Sequence, residues 1–445
     1  MNKKIILSHY RNASEKDWKN WRWQFQNRVT SIKELAGMTG RLMPRPENLH
    51  RVLSSYPMAI TPYFLSLIET NNENNPLALQ CIPDEKEVSV SSHCSDDPLN
   101  EDCSMPVPKM IQRYPDRVLA IVTQTCATYC RHCNRKRFWK KKETSTLKSR
   151  LGKMVQYVAD SPGIREVILS GGDPLTYDDD QMEMILSSFA AIPHLEVLRV
   201  GSRMPAVLPM RITKELCRIL KRYRPLWFNT QFNHPSEITP DAERACNMLQ
   251  EAGIPVSNQS VLLKGVNDNE DIMRRLLYRL QKISVRPYYL FHCEPVKGCG
   301  HLRTEMVAGL KMMEKLRKNC SGLAMPQYVA DLPGRSGKVP ILALSGSLEN
   351  DLRKHQDEAV NYMTDNIEVE ILLFEDRPIG ISLPNFVELI VTEAEPWAKG
   401  DTVSGATKPV KVQTGATILV PTFVSEGEKI RIDTRTGEYL TRVKG

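Results

Sequence analysis

The chain has 445 residues, of which 41% are hydrophobic and 25% are charged, and its net charge at pH 7 is +8. This length predicts two or three globular domains, and no apolar run approaches the roughly 20 residues that cross a bilayer, so we expect no membrane contact. The N-terminal apolar stretch is too short for a signal peptide, and we therefore expect a cytoplasmic protein whose eleven cysteines are reduced. The modest positive charge permits contact with nucleic acid or the ribosome but does not argue for it.

Residues 1–110 carry helical patterns separated by polar loops, and we predict an N-terminal helical region there. Near its start, aromatic residues recur at mixed spacings of three and four, which indicates core anchors more strongly than a binding site. These residues are Trp18, Trp21, Trp23 and Phe25. The stretches Asn71–Asn75 and Asp96–Asp102 are predicted loops.

From Arg117 onward, short β-branched runs alternate with amphipathic segments at the spacing of βα units. This alternation predicts a parallel sheet with right-handed crossovers, and six or seven units indicate an incomplete, TIM-like (β/α) barrel over residues 111–345. The predicted strands are Val118–Thr123, Glu166–Ser170, Leu195–Val200, Leu226–Gln231, Val256–Leu263, Arg286–Cys293 and Ala324–Val329. Most side chains that could take part in catalysis or binding follow the carboxyl ends of these strands, where barrel enzymes place their sites.

Past Asp351 the hydrophobic pattern changes to a period of two, with Gly and Pro turns between the runs. This pattern indicates a small antiparallel β module, and we predict a helical linker over Leu348–Tyr362 that leads into it. The strands predicted in this part are Ile367–Phe374, Phe386–Val391, Val410–Gln413, Thr417–Pro421 and Glu428–Ile432.

The chemical centre of the chain is predicted at Cys126, Cys130 and Cys133, a Cys-x3-Cys-x2-Cys run directly after the first barrel strand. Three neighbouring thiolates can ligate three irons of a [4Fe–4S] cluster, which leaves the fourth iron open to a small molecule with an amine and a carboxylate. This spacing resembles that of the radical S-adenosylmethionine (SAM) enzymes, in which SAM fills the open position. The alternatives are a zinc site and an incidental cluster of thiols. Zinc is the weaker interpretation, because it usually takes four ligands in pairs of Cys or His.

Two further motifs follow predicted barrel strands. In Ser170-Gly-Gly-Asp-Pro174, the glycines allow a ligand to approach closely and Asp173 could accept from an ammonium group. Gly171, Gly172 and Asp173 match the position at which radical SAM enzymes hold the amino group of SAM. Lys338 lies in a Gly/Pro-rich loop, from which it could enter the barrel mouth and bind pyridoxal phosphate (PLP) covalently. From the local sequence alone, a solvated loop lysine is the stronger interpretation.

A longer resemblance joins these motifs. From Asp17 to about Pro340 the chain resembles the lysine 2,3-aminomutase family, including its diverged member that prepares elongation factor P for β-lysylation. The matching stretches include Asp17-Trp-Lys-Asn-Trp-Arg-Trp-Gln, Arg113-Tyr-Pro-Asp-Arg-Val, Leu169-Ser-Gly-Gly-Asp-Pro, Gly201-Ser-Arg-Met-Pro, Phe232-Asn-His-Pro-Ser-Glu-Ile and Val285-Arg-Pro-Tyr-Tyr. The resemblance implies an isomerase that moves the amino group of L-lysine from C2 to C3, giving β-lysine, with a [4Fe–4S] cluster, SAM and PLP as cofactors.

The same resemblance implies a role for each motif residue. It implies cluster ligands at Cys126, Cys130 and Cys133, a PLP-bound lysine at Lys338, and PLP contacts at Arg113, Tyr114 and Arg117. Arg135 lies where the family clamps the substrate carboxylate, a bidentate task that suits a guanidinium. Asp331 matches an aspartate that binds the distal ammonium of lysine, and Glu294 stands where the family usually has a second aspartate. Two carboxylates near one ammonium repel the side chain of glutamate, so we expect lysine as substrate, with ornithine as the alternative.

One departure from the family concerns zinc. Clostridial-type members carry a zinc site built from a Cys-rich tail and one cysteine after a Gly-Val-Asn-Asp stretch. Here Asn269 follows Gly265-Val-Asn-Asp268 and the tail is missing, so we expect no structural zinc. Whether the protein forms a homo-oligomer is a question that the sequence leaves open.

The β module has its own resemblance, to the C-terminal part of elongation factor P. Matching stretches include Arg377-Pro-Ile-Gly-Ile-Ser-Leu-Pro, Gly415-Ala-Thr-Ile-Leu-Val-Pro and Asp433-Thr-Arg-Thr-Gly-Glu-Tyr439. The resemblance implies an OB-type domain over residues 384–445, preceded over 346–383 by the linker and a remnant strand. The basic residues of the module could contact RNA, although a solvated charged face is the stronger interpretation. They are Lys408, Lys411, Lys429, Arg431 and Arg435.

Three functions stay open at this point. The first is an aminomutase whose β-lysine feeds the modification of elongation factor P, and the second is an aminomutase that serves osmolyte or secondary metabolism. The third is a ribosome- or RNA-binding protein in which the barrel is only a scaffold. The intact cysteine run, Arg135 and Lys338 argue against the third, because a scaffold needs none of them.

Overall fold

The computed structural model describes residues 3–10, 13–39, 46–69, 72, 74–88, 94–140, 145–333, 337–341, 361–364, 367, 370–374, 377–394, 407–434 and 436–443. It divides into two compact units, Met1–Ala343 and Leu344–Gly445. The finer domain boundaries, at residues 110 and 383, stay predictions. Across the described ranges, no helix is both long and apolar enough to cross a bilayer.

Short helices precede the sheet of the first unit. They are α1 Lys3–His9, α2 Glu15–Trp18, α3 Trp21–Gln26, α4 Ile32–Thr39, α5 Pro46–Ser55, α6 Pro62–Ser66 and α7 Ala78–Cys81. Trp18 and Trp21 are buried in the main hydrophobic core, and Trp23 and Phe25 pack against it, which confirms their predicted role as core anchors. They lie on two helices because Asn20 starts a new one, accepting the backbone N–H of Arg22 at its N-terminus.

One open sheet forms the barrel. Its strands are β1 Met110–Ile111, β2 Arg117–Thr123, β3 Glu166–Gly171, β4 Val197–Gly201, β5 Leu226–Thr230, β6 Val256–Leu262, β7 Arg286–His292, β8 Gln327–Leu332 and β9 Gly337–Pro340. Strands β2 to β8 pair in parallel in chain order, and β1 and β9 pair antiparallel at the two edges. The helices between the parallel strands are α8 Leu147–Ala159, α9 Asp179–Ala190, α10 Met204–Val207, α11 Lys214–Arg222, α12 Pro240–Glu251, α13 Glu270–Lys282 and α14 Met306–Asn319. The predicted incomplete (β/α) barrel is confirmed, with all seven predicted strands present at slightly shifted bounds.

Alternation along the strands separates core from site. On β3, Val167 and Leu169 are buried in the core, while Glu166, Ile168 and Ser170 line the lumen of the barrel. Successive side chains of a strand point to opposite faces, so one face packs on the helices and the other faces a cavity. The sheet thus presents polar side chains to the lumen at little cost to the core.

The edge strand β9 corrects one prediction. The sequence predicts a loop around Lys338, but this residue lies on β9, directly opposite Asp331 of β8. Gly337 and Pro340 bound this strand, and both residue types are depleted in strands, so the local sequence resembles a loop. Pairing with β8 overrides that preference and gives Lys338 a fixed register.

The second unit is all β in its described part. Its strands are β10 Glu370–Phe374, β11 Arg377–Ser382, β12 Phe386–Ala394, β13 Thr407–Val412, β14 Thr417–Pro421, β15 Lys429–Asp433 and β16 Glu438–Arg442. Strands β10 and β11 form a hairpin, and the other strands form an antiparallel sheet in the order β14–β13–β12–β15–β16. Exposed and buried residues alternate along β12, as the period of two predicts.

This arrangement agrees with the predicted OB-type domain. The five predicted strands are present, whereas β11 and β16 were not predicted; in β11, Pro378 and Gly380 weaken the strand signal. The helical linker predicted over Leu348–Tyr362 lies outside the described residues except for its last two positions.

Candidate active site

The lumen of the barrel holds a cavity of about 810 Å³. This volume is in the range of small-molecule and cofactor pockets. Every residue that the sequence singled out for the site lines it: Arg113, Tyr114, Arg117, Cys126, Cys130, Cys133, Arg135, Gly171, Gly172, Asp173, Glu294, Asp331 and Lys338. The fold therefore brings together groups that are far apart in the chain.

The three cysteines of the run lie in the loop after β2. The pKa of Cys126 is raised well above its ordinary value, mainly by burial, and burial raises that of Cys133 to about 11. Burial thus disfavours the thiolate forms of Cys126 and Cys133, and bound metal ions would supply the positive charge that favours them. Among the described residues, no three side chains of His, Cys, Asp or Glu are grouped as ligands of a single ion. Three thiols on one cavity wall fit a [4Fe–4S] cluster, in which each thiolate can bind a different iron.

Gly171, the last residue of β3, and Gly172, the residue after it, hold the cysteine loop against the sheet. Backbone N–H groups of Gly172 and Asp173 donate to the carbonyl oxygens of Thr123 and Thr125 at 2.6 and 2.8 Å. A Cβ at Gly171 would lie 2.3 Å from the oxygen of Thr123, and one at Gly172 would lie 2.3 Å from that of Thr125. Gly171 also has φ +126°, which other residues rarely adopt. Glycine is therefore required here because the ends of β2 and β3 and the residues that follow them pack closely, a reason that the sequence did not suggest.

Asp173 and Arg203 connect this segment to the cysteines. Burial raises the pKa of Asp173 to about 6, and its carboxylate accepts from the Ser202 hydroxyl at 2.8 Å and the Arg203 N–H at 2.9 Å. The Arg203 side chain pairs with Glu237 at 2.6 Å and its Nη1 lies 2.7 Å from Sγ of Cys130. The sequence alone assigns no role to Arg203, although this residue lies two positions after the carboxyl end of β4, where barrel enzymes place their sites.

A frame of charged and aromatic groups surrounds Lys338. Its Nζ lies 3.3 Å from Oδ2 of Asp331, whose Oδ1 is 2.9 Å from Nη1 of Arg113. The backbone N–H of Lys338 donates to the Tyr114 hydroxyl at 3.0 Å, and the guanidinium of Arg117 stacks 3.6 Å from the centre of that ring. The lysine is thus held by its backbone and by its side chain.

The two acids predicted to bind an ammonium differ in their partners. Asp331 is already paired with two cations, whereas Oε2 of Glu294 is buried and accepts no hydrogen bond within the described part of the chain. Burial, and then the negative charge of Asp331, raise the pKa of Glu294 to about 7. A buried acceptor without a donor is costly, and a cationic ligand group would satisfy it.

Arg135, the predicted carboxylate clamp, has an acidic partner of its own. Its Nη2 and Nε donate to Oε1 and Oε2 of Glu101 at 2.7 and 3.2 Å. In the sequence, Glu101 belongs to a predicted acidic loop, and no local pattern marks it, because its pairing with Arg135 joins segments more than thirty residues apart.

The basic face of the β module differs from this site. Two of its lysines form exposed ion pairs, Lys411 with Glu393 at 2.9 Å and Lys429 with Glu388 at 3.4 Å. Arg435 lies outside the described residues. Pairing with neighbouring acids favours the solvated charged face over a built RNA site.

Comparisons with known proteins agree with this architecture. Residues 120–277 match the Radical SAM superfamily, and residues 387–442 match the C-terminal domain of elongation factor P. The L-lysine 2,3-aminomutase of Clostridium subterminale is 44% identical over 333 residues, which cover 75% of this chain and 80% of that protein. The enzyme of the same name from Fusobacterium nucleatum is 44% identical over 331 residues, covering 74% and 78%. The glutamate 2,3-aminomutase of Clostridioides difficile is 40% identical over 331 residues, also covering 74% and 78%.

The radical SAM match includes the whole cysteine run, and a radical SAM domain implies a [4Fe–4S] cluster and SAM as cofactors. The relatives are aminomutases, which are isomerases, and the alignment with them covers most of their length. With its barrel, its cavity-lining cysteines and its C-terminal domain of the elongation factor P type, the chain belongs to the lysine 2,3-aminomutase family.

Proposed function

We propose that this protein is an L-lysine 2,3-aminomutase that uses PLP together with the cluster and SAM. The observation that carries the choice of lysine is the buried, unpartnered Oε2 of Glu294, in a cavity that also contains Asp331. The distal ammonium of lysine supplies the missing donor and positive charge, whereas the side chain of glutamate would bring a third carboxylate to this place. Family membership alone does not decide this point, since a glutamate-specific relative is 40% identical.

In this proposal the cysteine loop holds the cluster through Cys126, Cys130 and Cys133. Gly171, Gly172 and Asp173 form the segment that receives the amino group of SAM. The hydrogen bonds that Asp173 accepts from the Ser202 hydroxyl and the Arg203 backbone N–H keep that segment in place beside the cysteine loop. The short contacts between the two loops support this assignment, because both ligands need one rigid frame.

Lys338 is the residue that holds PLP. Arg113 and Arg117 offer cations to an anionic cofactor, and the Tyr114 ring offers an apolar face, so the residues present fit this group. Asp331 keeps the Lys338 ammonium inside the cavity at 3.3 Å. With PLP bound through Nζ of Lys338, Asp331 would keep its ion pair with Arg113 at 2.9 Å and could also face the distal ammonium of the substrate.

When bound, the cluster and SAM supply the radical that takes hydrogen from C3 of the substrate, and PLP carries the nitrogen that moves from C2 to C3. The protein holds lysine at both ends. Arg135 binds the carboxylate, while Glu294 and Asp331 bind the distal ammonium, which fixes C2 and C3 between them. The cavity walls exclude water from the reacting atoms.

The experiment is anaerobic reconstitution of the full chain with iron, sulfide, SAM and PLP, followed by incubation with L-lysine, L-ornithine or L-glutamate. The products are identified by mass and chromatography rather than by visible absorbance, in which the bands of cluster and PLP overlap. We expect β-lysine from lysine and no product from glutamate. Turnover of glutamate without turnover of lysine would contradict the roles of Glu294 and Asp331.

We further propose that the C-terminal domain contacts the translation machinery. The match of residues 387–442 to elongation factor P supports this partner class. Co-sedimentation of the full chain with ribosomes tests it: we expect binding that weakens with salt, and recovery of all protein in the supernatant at low salt would contradict it.

A further inference from the structure

Glu101 is the buried partner of Arg135, and no role has been assigned to it above. Its side chain is only 3% exposed, and its two oxygens accept hydrogen bonds from Nη2 and Nε of Arg135. This bidentate pair uses the Nε edge of the guanidinium. Nη1 and the second N–H of Nη2 therefore form the edge that stays available to a substrate carboxylate.

Glu101 is itself fixed from a second direction. Nη2 of Arg137 donates to its Oε2 at 2.9 Å. Burial raises the pKa of Glu101, but the charges and hydrogen bonds of Arg135 and Arg137 outweigh it and place that pKa below its ordinary value. Glu101 is thus a carboxylate at neutral pH, with its geometry set before any ligand enters.

The segment that carries Glu101 is also bonded to the loop that carries Glu294. The N–H of Ser95 donates to the Pro295 carbonyl at 2.9 Å, and the N–H of Lys297 donates to the Ser95 carbonyl at 2.9 Å. Residues that bind opposite ends of the proposed substrate are therefore attached to one another through this segment. Their separation is set by the fold and not by the ligand.

The energetic reason for such a partner is the burial of Arg135, whose side chain is 16% exposed. A guanidinium in a cavity is costly without an anion, and a substrate provides one only while it is bound. A bidentate carboxylate also fixes the plane of the guanidinium, and planar recognition of a second carboxylate depends on that plane.

We propose that Glu101 is a positioning residue for the substrate carboxylate. It acts through Arg135 and selects amino acids with a free α-carboxylate over amines of the same length. This inference rests on the proposed function, in which Arg135 binds that carboxylate.

The test compares Glu101→Gln with Asp102→Asn in the reconstituted full chain. Asp102 lies next to Glu101 and contacts Arg137 at 3.3 Å, so it is a matched control that removes a neighbouring charge. We expect Glu101→Gln to raise KM for L-lysine about tenfold and to change kcat less than about threefold. The inhibition constant of 1,5-diaminopentane, which is lysine without its carboxylate, stays within about twofold of wild type. Asp102→Asn leaves all three values unchanged.

A double-mutant cycle separates positioning from general stability. In an Arg135→Lys background the bidentate partner is gone, so adding Glu101→Gln raises KM by less than about twofold. An unchanged KM in the single variant, an equal loss for lysine and for the diamine, or additive effects in the cycle would each overturn the proposal.

Two further controls keep the outcome interpretable. If Glu101→Gln lowers the melting temperature too far for kinetics, Glu101→Asp takes its place. It keeps the charge but is one methylene too short for the bidentate pair, and the same split between lysine and diamine is expected. Wild-type protein that fails to convert L-lysine overturns the proposed function, whereas wild-type turnover with an unaltered KM in the variants overturns the positioning role alone.

Discussion

The barrel and the C-terminal β module use their charged residues in opposite ways. In the barrel, Arg113 and Asp331 form an ion pair at 2.9 Å with side chains only 6% and 7% exposed. In the β module, Lys411 and Glu393 pair at the same 2.9 Å with side chains 53% and 67% exposed. Exposed pairs contribute about 0–1 kcal/mol, whereas removing one partner of a buried pair costs about 3–5 kcal/mol. Equal distances therefore have very different consequences, because the barrel pair is shielded from water and the pair of the β module is solvated.

The largest expected effect is loss of a cluster ligand. Cys130→Ser removes a thiolate from the cavity wall, so we expect bound iron to fall severalfold and β-lysine formation to fall by at least about 1,000-fold. Iron and sulfide analysis after anaerobic reconstitution, together with product detection, measures both. The half-buried Cys320, outside the cavity lining, provides the control: Cys320→Ser should keep its iron and its activity. Equal iron in the Cys130→Ser variant and wild type would remove the cluster assignment.

The next effect concerns Lys338, where one substitution can keep the positive charge and remove the reactive amine. Lys338→Arg keeps a cation beside Asp331 but has no amine that can bind a carbonyl carbon. We expect it to fold, to lose PLP during gel filtration, and to lose at least about 1,000-fold in turnover. The exposed Lys282→Arg, at the end of α13, is the matched exchange elsewhere on the chain. Retention of covalently bound PLP by the Lys338→Arg variant, detected by mass spectrometry after borohydride reduction, contradicts the assignment.

Glu294 gives a smaller effect with a defined pH dependence. Lysine needs the ionised form, so kcat/KM for lysine should rise with pH through an apparent pKa near 7 in the free enzyme. The charged groups around it are Asp331 and Glu101, which raise this pKa, and Arg135, which lowers it, as does the hydrogen bond from Asn134. Glu294→Gln should lose this limb and reduce kcat/KM at pH 8 about 10- to 100-fold. The exposed Glu305→Gln is the control. An unchanged pH profile in the Glu294→Gln variant would exclude this role.

The same shift has a consequence for stability. The folded-state pKa of Glu294 lies above its unfolded value, so the folded protein holds this proton more tightly. Its contribution to stability is therefore fully present below pH 4.5 and is lost as pH rises towards 7. In Glu294→Gln that loss disappears, which thermal unfolding at pH 5 and pH 8 can measure as a smaller difference between the two pH values than in wild type.

The sequence predicted most of the barrel and its site because its signals are local. Strand runs such as Glu166–Ser170 and the spacing of the cysteines need only a few consecutive residues to be recognised. The Arg135–Glu101 pair escaped prediction because its two residues lie 34 positions apart in the chain. The edge strand with Lys338 pairs with the neighbouring β8, and it escaped prediction because Gly337 and Pro340 weaken the local strand signal. The packing reason for Gly171 could not be predicted either, because the carbonyl oxygen next to it belongs to Thr123 of the preceding strand.

The smallest effect is expected in the β module, whose exposed ion pairs test the contrast with the buried pairs of the barrel. Lys429 pairs with Glu388 at 3.4 Å, with side chains 47% and 44% exposed. Lys429→Ala should change the free energy of unfolding by less than about 1 kcal/mol and leave kcat/KM for lysine within about twofold. Glu388→Ala is the matched variant, and both are measured by chemical denaturation and by product formation. If Lys429→Ala weakened ribosome co-sedimentation while Glu388→Ala strengthened it, the basic residues of the β module would bind an anion, which contradicts their interpretation as a solvated charged face. The charged residues of the β module would then bind a ligand as those of the barrel do, because an exposed lysine that is released from its acid can contact a phosphate directly.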